Sequence, residues 1–230
     1  MGECGVESAK CKVKSVTALL ITLHSTLCTL NSLMSRLPRS PELMNRGDTA
    51  LLVIDVQGKL VQLIPKHAAL LWNIGRLIDG AKILGLPVLA TEQYPKGLGP
   101  TSPEIAARLG SISAKIAFSC GECGKLFEEL GQKGIHRILI CGIEAHVCVQ
   151  QTVHDLLAAG FRVYLAVDAV GARGWLDCET ALQRMESAGA TLTTVEAALF
   201  EWCDVAGTPE FKQISNLVKQ APLEEAAQAE

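Results

Sequence analysis

The stretch from Arg137 to Val149 constrains the fold of this chain more than any other. It begins with aliphatic and β-branched residues typical of a strand buried on both faces, passes through Gly142, and continues as a helix with apolar residues at helical spacing. Cys148 lies where this strand gives way to the helix, a position at which unpaired backbone N–H groups and the helix dipole favour a thiolate. Cys148 is therefore a candidate nucleophile, although free cysteines are also common in protein cores.

The same alternation of strand and helix continues along the chain. Six strands are predicted, over residues 50–54, 87–91, 113–118, 137–141, 162–167 and 191–195. Helices are predicted over residues 60–84, 105–109, 125–130, 149–157, 176–188, 197–202 and 209–218. Strands that alternate with helices form parallel sheets covered on both faces. We therefore predict an α/β fold with three layers, α/β/α, around a six-stranded, mostly parallel, Rossmann-like sheet. The domain covers residues 44–220, and residues 221–230 are expected to form a frayed tail.

Residues 1–43 have a different character. Lysines precede an apolar run from Val16 to Leu23, and no acidic residue occurs between Glu7 and Glu42. Three interpretations remain open: a targeting segment, residues upstream of a chain that starts at Met44, or a native arm. We expect a cytoplasmic protein, or a mitochondrial one if the segment is a targeting signal. The apolar run is too short and too polar for a membrane span, so no membrane association is expected.

Charge and cysteine content exclude several classes of protein. The formal net charge of −3 argues against a nucleic-acid partner. The nine cysteines are odd in number and irregularly spaced, which indicates a reducing compartment rather than a disulfide framework. Cys120 and Cys123 form the one metal-like pair, and they lack a second pair or neighbouring histidines. No metal and no cofactor are therefore expected.

Three chemically complementary residues are predicted to meet at one edge of the sheet. Asp55 ends the first strand, Lys115 lies in or near the third strand, and Cys148 follows a central strand. Ligands of open parallel sheets bind outside the carboxyl ends of the strands. There the ammonium would lower the pKa of the thiol, and the carboxylate could accept its proton. The alternatives are a turn-capping aspartate and an ordinary surface lysine.

With these residues in place, the chain resembles the isochorismatase-like cysteine hydrolase superfamily, and within it the isochorismatase domain-containing proteins. The resemblance spans about residues 49–218. It is carried by Ile54-Asp55-Val56-Gln57, by Thr91-Glu92-Gln93-Tyr94-Pro95-Lys96-Gly97-Leu98-Gly99, by Lys115-x-x-Phe118-Ser119, by Gly142 to Thr152, and by Pro209-Glu210-Phe211-Lys212-x-Ile214. Each motif is short, and their combination is highly specific.

The resemblance implies a catalytic triad of Asp55, Lys115 and Cys148. It also implies a cis peptide bond between Ile143 and Glu144, and an oxyanion hole formed by the backbone N–H groups of Glu144 and Cys148. The expected reaction is hydrolysis of a small amide-like C–N bond through a thioester acyl-enzyme.

The residues expected to contact the small-molecule substrate are Gln57, Tyr94, Leu98 and Phe118. The alternative for Tyr94 and Phe118 is plain packing. The metal-dependent nicotinamidases of the superfamily carry histidines after the second strand, where this chain has Glu92, Gln93 and Tyr94, so a metal site is not expected. A homo-oligomer is expected. Two other functions remain open, a non-catalytic interaction protein that retains the hydrolase fold and a redox role for the cysteines.

Overall fold

The computed structural model describes residues 37–220 of the chain. The chain divides into two units, Met1–Leu43 and Met44–Glu230. Most of the first unit and the whole of the tail 221–230 lie outside the described residues, so the three interpretations of residues 1–43 and the frayed tail stay predictions.

The second unit is built on a six-stranded sheet in which every strand pairs in parallel with its neighbours. The strand order is β3-β2-β1-β4-β5-β6. The strands are β1 (Thr49–Ile54), β2 (Val88–Gln93), β3 (Ser113–Lys115), β4 (Arg137–Ile143), β5 (Arg162–Gly171) and β6 (Thr191–Thr193). The predicted α/β class and six-stranded parallel sheet are confirmed.

Helices cover both faces of the sheet. They are α1 (Gly58–Val61), α2 (His67–Leu84), α3 (Pro95–Leu98), α4 (Pro103–Ala106), α5 (Gly124–Gln132), α6 (Gln150–Ala158), α7 (Trp175–Ser187), α8 (Val195–Cys203) and α9 (Pro209–Val218), with a 3₁₀ turn at Cys120–Cys123 and a π-helical turn at Ala145–Val149. No helix among residues 37–220 is long and apolar enough to cross a membrane.

One hydrophobic layer lies on each face of the sheet, because successive side chains of a buried strand point to opposite faces. Leu51 and Val53 of β1 pack with α2, α8 and α9. Ala50, Leu52 and Ile54 point the other way and pack with α5, α6 and α7.

The largest departures from the predicted elements lie in residues 60–84 and 92–103. In addition, β3 ends at Lys115 and β6 at Thr193, before the predicted ends at residues 118 and 195, and β5 continues past residue 167 to Gly171. The prediction of a single helix over residues 60–84 is wrong, because α1 ends at Val61 and α2 begins only at His67. Pro65 restricts the residue before it and lacks an N–H, and Lys66 adopts a left-handed conformation with φ 54°. Between the strand predicted to end at residue 91 and the helix predicted to begin at residue 105, β2 continues to Gln93, and two short helices, α3 and α4, begin at prolines.

Candidate active site

The carboxyl edge of the sheet brings together the three residues predicted to converge. Asp55 follows β1, Lys115 ends β3, and Cys148 lies in the π-helical turn after β4. Strands β1 and β4 are neighbours in the centre of the sheet, and the chain order reverses between them. Ligand sites of doubly wound sheets lie at such a reversal. The three side chains are almost inaccessible, with exposed fractions of 0% for Asp55, 2% for Lys115 and 4% for Cys148.

The Asp55 carboxylate is held at both oxygens. Its Oδ2 accepts a hydrogen bond of 2.7 Å from Lys115 Nζ, and its Oδ1 accepts one of 2.8 Å from Thr91 Oγ1. Asp55 itself adopts a left-handed conformation, φ 52°, which aspartate tolerates better than most residues. The carboxylate therefore has a fixed orientation at the end of β1.

The Lys115 ammonium uses all three of its hydrogens. Besides Asp55, it donates to the carbonyl oxygens of Ala117 at 3.2 Å and Phe118 at 2.7 Å. Burial alone would lower the pKa of Lys115, but the charge and hydrogen bond of Asp55 outweigh it, and the pKa is raised. Lys115 is therefore a permanent cation at neutral pH.

The Cys148 thiol lies under the opposing influence of the other two groups. Burial raises its pKa, Asp55 raises it further through its negative charge and as a hydrogen-bond acceptor, and Lys115 lowers it. The net shift is upward, which differs from the lowered pKa expected from the sequence. The reason is that desolvation of a buried thiol outweighs the neighbouring ammonium. The resting group is a neutral thiol beside a carboxylate.

Two threonines and a second cysteine also belong to this cluster. The sequence analysis missed both threonines as site residues and named Cys120 only in a metal-like pair and as a candidate redox thiol. Thr91 Oγ1, which donates to Asp55, lies 3.4 Å from Cys120 Sγ. Thr152 Oγ1 accepts from the Cys120 backbone N–H at 2.9 Å and donates to the Cys148 carbonyl at 2.7 Å. Strand pairing offered a signal for Thr91, since it is the register partner of Ile54, the residue before Asp55. Burial raises the pKa of Cys120 to about 11.

Glu144 connects the end of β4 to the turn that carries Cys148. The peptide bond between Ile143 and Glu144 is cis. The Glu144 carboxylate accepts hydrogen bonds from Arg173, from Nε at 2.8 Å and from the backbone N–H at 3.2 Å. The Glu144 carbonyl accepts from the N–H groups of Val147 and Val149 at 3.0 and 3.2 Å. Cys148 is the residue between Val147 and Val149 in the chain. The oxyanion hole of the Glu144 and Cys148 N–H groups stays a prediction.

Gln57 is buried completely and organises the loop after β2. Its Nε2 donates to the carbonyls of Gln93 at 2.9 Å and Gly99 at 2.6 Å, and its Oε1 accepts from the Gln93 N–H at 2.9 Å. These bonds fix the start and end of the segment that contains α3. A direct contact between Gln57 and substrate stays a prediction.

Two aromatic residues from the predicted substrate set flank Lys115. The Tyr94 N–H donates to the Lys115 carbonyl at 2.8 Å, and the Phe118 carbonyl accepts from Lys115 Nζ. Tyr94 and Phe118 are 49% and 51% exposed, and their contacts with Lys115 are made through the backbone. Leu98 lies at the end of α3 and is partly buried. The substrate contacts of all three stay predictions.

Glu92, at the position where the metal-dependent nicotinamidases carry histidines, makes structural hydrogen bonds in this chain. Glu92 Oε1 accepts from the Thr101 N–H at 2.6 Å and from the Thr101 hydroxyl at 2.7 Å, which ties β2 to the segment that leads into α4. Within residues 37–220, no group of three or more His, Cys, Asp or Glu side chains is arranged to hold a metal ion.

The sheet and its edge define the class of protein. A doubly covered parallel sheet with a buried carboxylate, ammonium and thiol at its carboxyl edge is an α/β protein with a hydrolase-like site. Residues 49–197 match the family model of the Isochorismatase domain, and the chain belongs to the isochorismatase family.

Relatives from several animals support this assignment. Isochorismatase domain-containing protein 1 of Salmo salar is 40% identical over 65% of this chain, which spans only 53% of that protein. Isochorismatase domain-containing protein 2 of Homo sapiens is 37% identical over 76% of this chain and 84% of its own length. The solved structure of a protein named MAR1 ribonuclease from Caenorhabditis elegans is 39% identical, covers 78% of this chain and 94% of its own, and superposes with a TM-score of 0.73.

Proposed function

We propose that the chain is a cysteine hydrolase that cleaves a small amide-like C–N bond through a thioester acyl-enzyme. The observation that carries the proposal is the Asp55 carboxylate, which is held by Lys115 and Thr91 and which raises the pKa of the Cys148 thiol through its charge and as a hydrogen-bond acceptor. A general base must be oriented and within reach of the proton that it removes. The family supplies the hydrolase-like function, and the geometry suggests which groups perform it.

In the first step, Asp55 takes the proton of the Cys148 thiol as sulfur attacks the substrate carbonyl. The neutral resting thiol makes this base necessary, since a thiol with a raised pKa is a poor nucleophile until it is deprotonated. Lys115 remains protonated, holds Asp55 in place and stabilises the negative charge of the forming thiolate.

Backbone N–H groups then stabilise the oxyanion of the tetrahedral intermediate through hydrogen bonds. Cys148 lies in the first turn of a helical segment, where backbone N–H groups lack intrahelical acceptors, and Glu144 precedes that turn. Asp55 returns its proton to the leaving amine as the C–N bond breaks, which leaves a Cys148 thioester. Water then attacks the thioester with Asp55 as base, releasing the acid and restoring the thiol.

The burial of the three groups favours a small substrate. Cys148 is only 4% exposed, so a reacting carbonyl must reach the sulfur through a narrow approach. Tyr94, Leu98 and Phe118 are proposed to form the wall of that approach. The name MAR1 ribonuclease belongs to the Caenorhabditis elegans protein and is not extended to this chain. The net charge of −3 on this chain does not favour a polyanionic substrate.

The test is a screen of small primary amides and carbamoyl compounds, with intact-mass detection of an acyl adduct that hydroxylamine removes. We expect turnover and an adduct on Cys148. In Cys148→Ala both should be lost, with a fall in turnover of roughly 10⁴-fold or more, because the members of such a group act as a unit. Cys148→Ser should be nearly inactive as well.

Cys178→Ala is the matched control, because Cys178 is half-buried on α7 and has no part in the cluster. It should keep full turnover. If purified, folded Cys148→Ala retains activity, the nucleophile is misassigned. If the wild-type chain turns over no member of the screen and forms no adduct, a non-catalytic interaction protein becomes the better description.

A further inference from the structure

The segment between β3 and the 3₁₀ turn supplies two of the three acceptors of the Lys115 ammonium. Lys115 is only 2% exposed, and besides Asp55 its Nζ donates to the carbonyl oxygens of Ala117 and Phe118. A buried ammonium that loses an acceptor is destabilised, because the desolvation of its charge is then uncompensated. The position of Lys115 therefore depends on the conformation of residues 116–118.

Packing of side chains does not fix this segment. Ile116 is 65% exposed, Phe118 is 51% exposed, and Ala117 between them is exposed as well. Segments with few buried apolar contacts open locally at a low cost in free energy. Hydrogen bonds must therefore hold residues 116–118 in the conformation that presents two carbonyl groups to the buried ammonium.

The Glu122 carboxylate makes two such hydrogen bonds. Its Oε2 accepts from the N–H of Ile116 at 2.7 Å and from the N–H of Ala117 at 2.8 Å. The hydrogen bonds from Ala117 and Ile116 lower the pKa of Glu122, so the acceptor is a charged carboxylate at neutral pH. The Ile116 carbonyl accepts from Gln93 Nε2 at 2.8 Å, and Ile116 is thus held on both sides.

The local sequence shows that the placement of this carboxylate is unusual. Ser119 and Glu122 have the spacing of a capping box, and Ser119 caps the 3₁₀ turn by accepting from the Gly121 N–H at 3.0 Å. In a standard capping box the glutamate bonds to the N–H of the capping residue itself. Glu122 instead reaches back to the two residues that follow Lys115. Its carboxylate therefore acts on the segment that holds Lys115, beyond the turn that Ser119 caps.

We propose that Glu122 is a positioning residue of the candidate active site, which holds Lys115 by fixing the backbone of residues 116–118. Lys115 in turn orients Asp55 through their hydrogen bond of 2.7 Å. For turnover, this role rests on the proposed hydrolase function, in which Asp55 is the base for Cys148. Glu122 acts on the reaction only through Lys115.

The first measurement is turnover of the amide that the screen identifies. Glu122→Ala removes the acceptor and should lower kcat roughly threefold to tenfold, because water can replace an exposed carboxylate only in part. Glu122→Gln keeps a neutral oxygen for the same two N–H groups and should restore most of the loss. Glu129→Ala is the matched control, because Glu129 is an exposed glutamate on α5, and it should keep the kcat of the wild type.

The second measurement does not need turnover. Buried, hydrogen-bonded ammonium groups exchange their hydrogens slowly with water, so nitrogen NMR of lysine-labelled full-length protein follows Lys115 directly. Glu122→Ala should make the hydrogens of Lys115 Nζ exchange roughly tenfold faster, because opening of residues 116–118 removes two of their acceptors. Glu122→Gln should show a smaller change, and Glu129→Ala should match the wild type.

The two measurements separate the role of Glu122 from the hydrolase function. If the wild type turns over no amide but Glu122→Ala speeds the exchange at Lys115, the hydrolase proposal fails, and the hold of Glu122 on Lys115 is supported. Unchanged exchange in Glu122→Ala overturns that hold, whatever the protein hydrolyses. Faster exchange with an unchanged kcat overturns the positioning role. Equal effects of Glu122→Gln and Glu122→Ala would contradict an action through the hydrogen bonds to residues 116 and 117.

Discussion

At the scale of single residues, Thr91 fixes the orientation of the proposed base. Its hydroxyl donates to Asp55 Oδ1 at 2.8 Å while Lys115 holds Oδ2. Thr91 is only 2% exposed, so water cannot replace its hydroxyl without rearrangement. It is a positioning residue, because it acts on the reaction through Asp55.

Replacement of Thr91 tests that role. Thr91→Val keeps the shape and removes the donor, and leaving a buried acceptor unpaired costs about 1–3 kcal/mol, so kcat should fall by roughly 10- to 100-fold. Thr91→Ser retains the hydroxyl and should keep most of the activity. The pair is compared by kcat and KM on whichever amide the screen identifies. A loss in Thr91→Ser together with full activity in Thr91→Val would mean that packing of the methyl group, rather than the hydroxyl, is what matters.

The raised pKa of Cys148 predicts how its reactivity depends on pH. A raised pKa means that the thiolate is the minor form at neutral pH, so its fraction grows about tenfold for each unit of pH until the pKa is reached. The rate of Cys148 alkylation by iodoacetamide, followed by peptide mass spectrometry, should therefore still be rising at pH 9. N-acetylcysteine serves as the reference thiol and should begin to level off near its ordinary pKa. A plateau for Cys148 below pH 8 would show a thiolate that the buried site does not account for.

At the scale of elements, Gly142 sets how closely β4 passes β1. It has φ 123°, and a Cβ there would lie 2.1 Å from the Ile54 carbonyl oxygen. Because Ile54 precedes Asp55 and Gly142 precedes the turn of Cys148, this close approach brings the proposed base and the proposed nucleophile to the same edge of the sheet. The glycine is required by both conformation and space.

Gly142→Ala should therefore damage both stability and the site. We expect a loss of about 3 kcal/mol or more, since backbone atoms must move and the conformation is strained for alanine. Gly189→Ala is the control, because Gly189 also has a positive φ, 110°, but an added Cβ would meet nothing within 4 Å. Urea unfolding of the two variants separates conformational strain from steric conflict. Equal losses would leave no role for the contact with Ile54.

The elements were predictable where local patterns decide them. The alternation of buried strands and amphipathic helices is enough to predict a parallel sheet, because only covered sheets accept strands that are apolar on both faces. The break before His67 had a local signal in Pro65 that the helical periodicity of the leucines concealed.

The candidate site was predictable only in part. Asp55 and Lys115 could be placed at one edge because parallel strands share their carboxyl ends, and the structure joins them at 2.7 Å. The contacts of Thr91 and Thr152 with Cys120 depend on how distant segments pack, which no local spacing specifies. The direction of the Cys148 pKa shift depends on burial in the folded state, so sequence position alone gave the wrong sign.

At the scale of the whole molecule, several large apolar side chains are exposed to solvent among residues 37–220. Trp175 and Leu176 at the start of α7 are 75% and 66% exposed, and Ile116 beside the candidate site is 65% exposed. Exposed apolar groups of this size favour association with another surface. A homo-oligomer and a cytoplasmic location stay predictions.

The contacts of Met44 bear on whether the folded domain requires residues 1–43 for its stability. Its side chain is completely buried in the hydrophobic layer of α2, α8 and α9, and its backbone N–H donates to Glu201 Oε2 at 2.8 Å. A chain that starts at Met44 would keep this side chain and would present an ammonium to the same carboxylate, which makes a stronger, charge-assisted hydrogen bond. We therefore expect the chain of residues 44–230 to unfold at the same temperature as the full chain, and to scatter less light because the apolar run from Val16 to Leu23 is removed.

Met44→Ala in the full chain is the control that shows whether the measurement is sensitive to this region. Truncating a buried methionine costs about 2–5 kcal/mol, so its melting temperature should fall clearly. If the chain of residues 44–230 instead melts lower than the full chain, or forms a smaller assembly in light scattering, residues 1–43 contribute to the native protein. The interpretation of those residues as a native arm would then replace the other two, since neither a targeting segment nor residues upstream of Met44 would stabilise the folded domain.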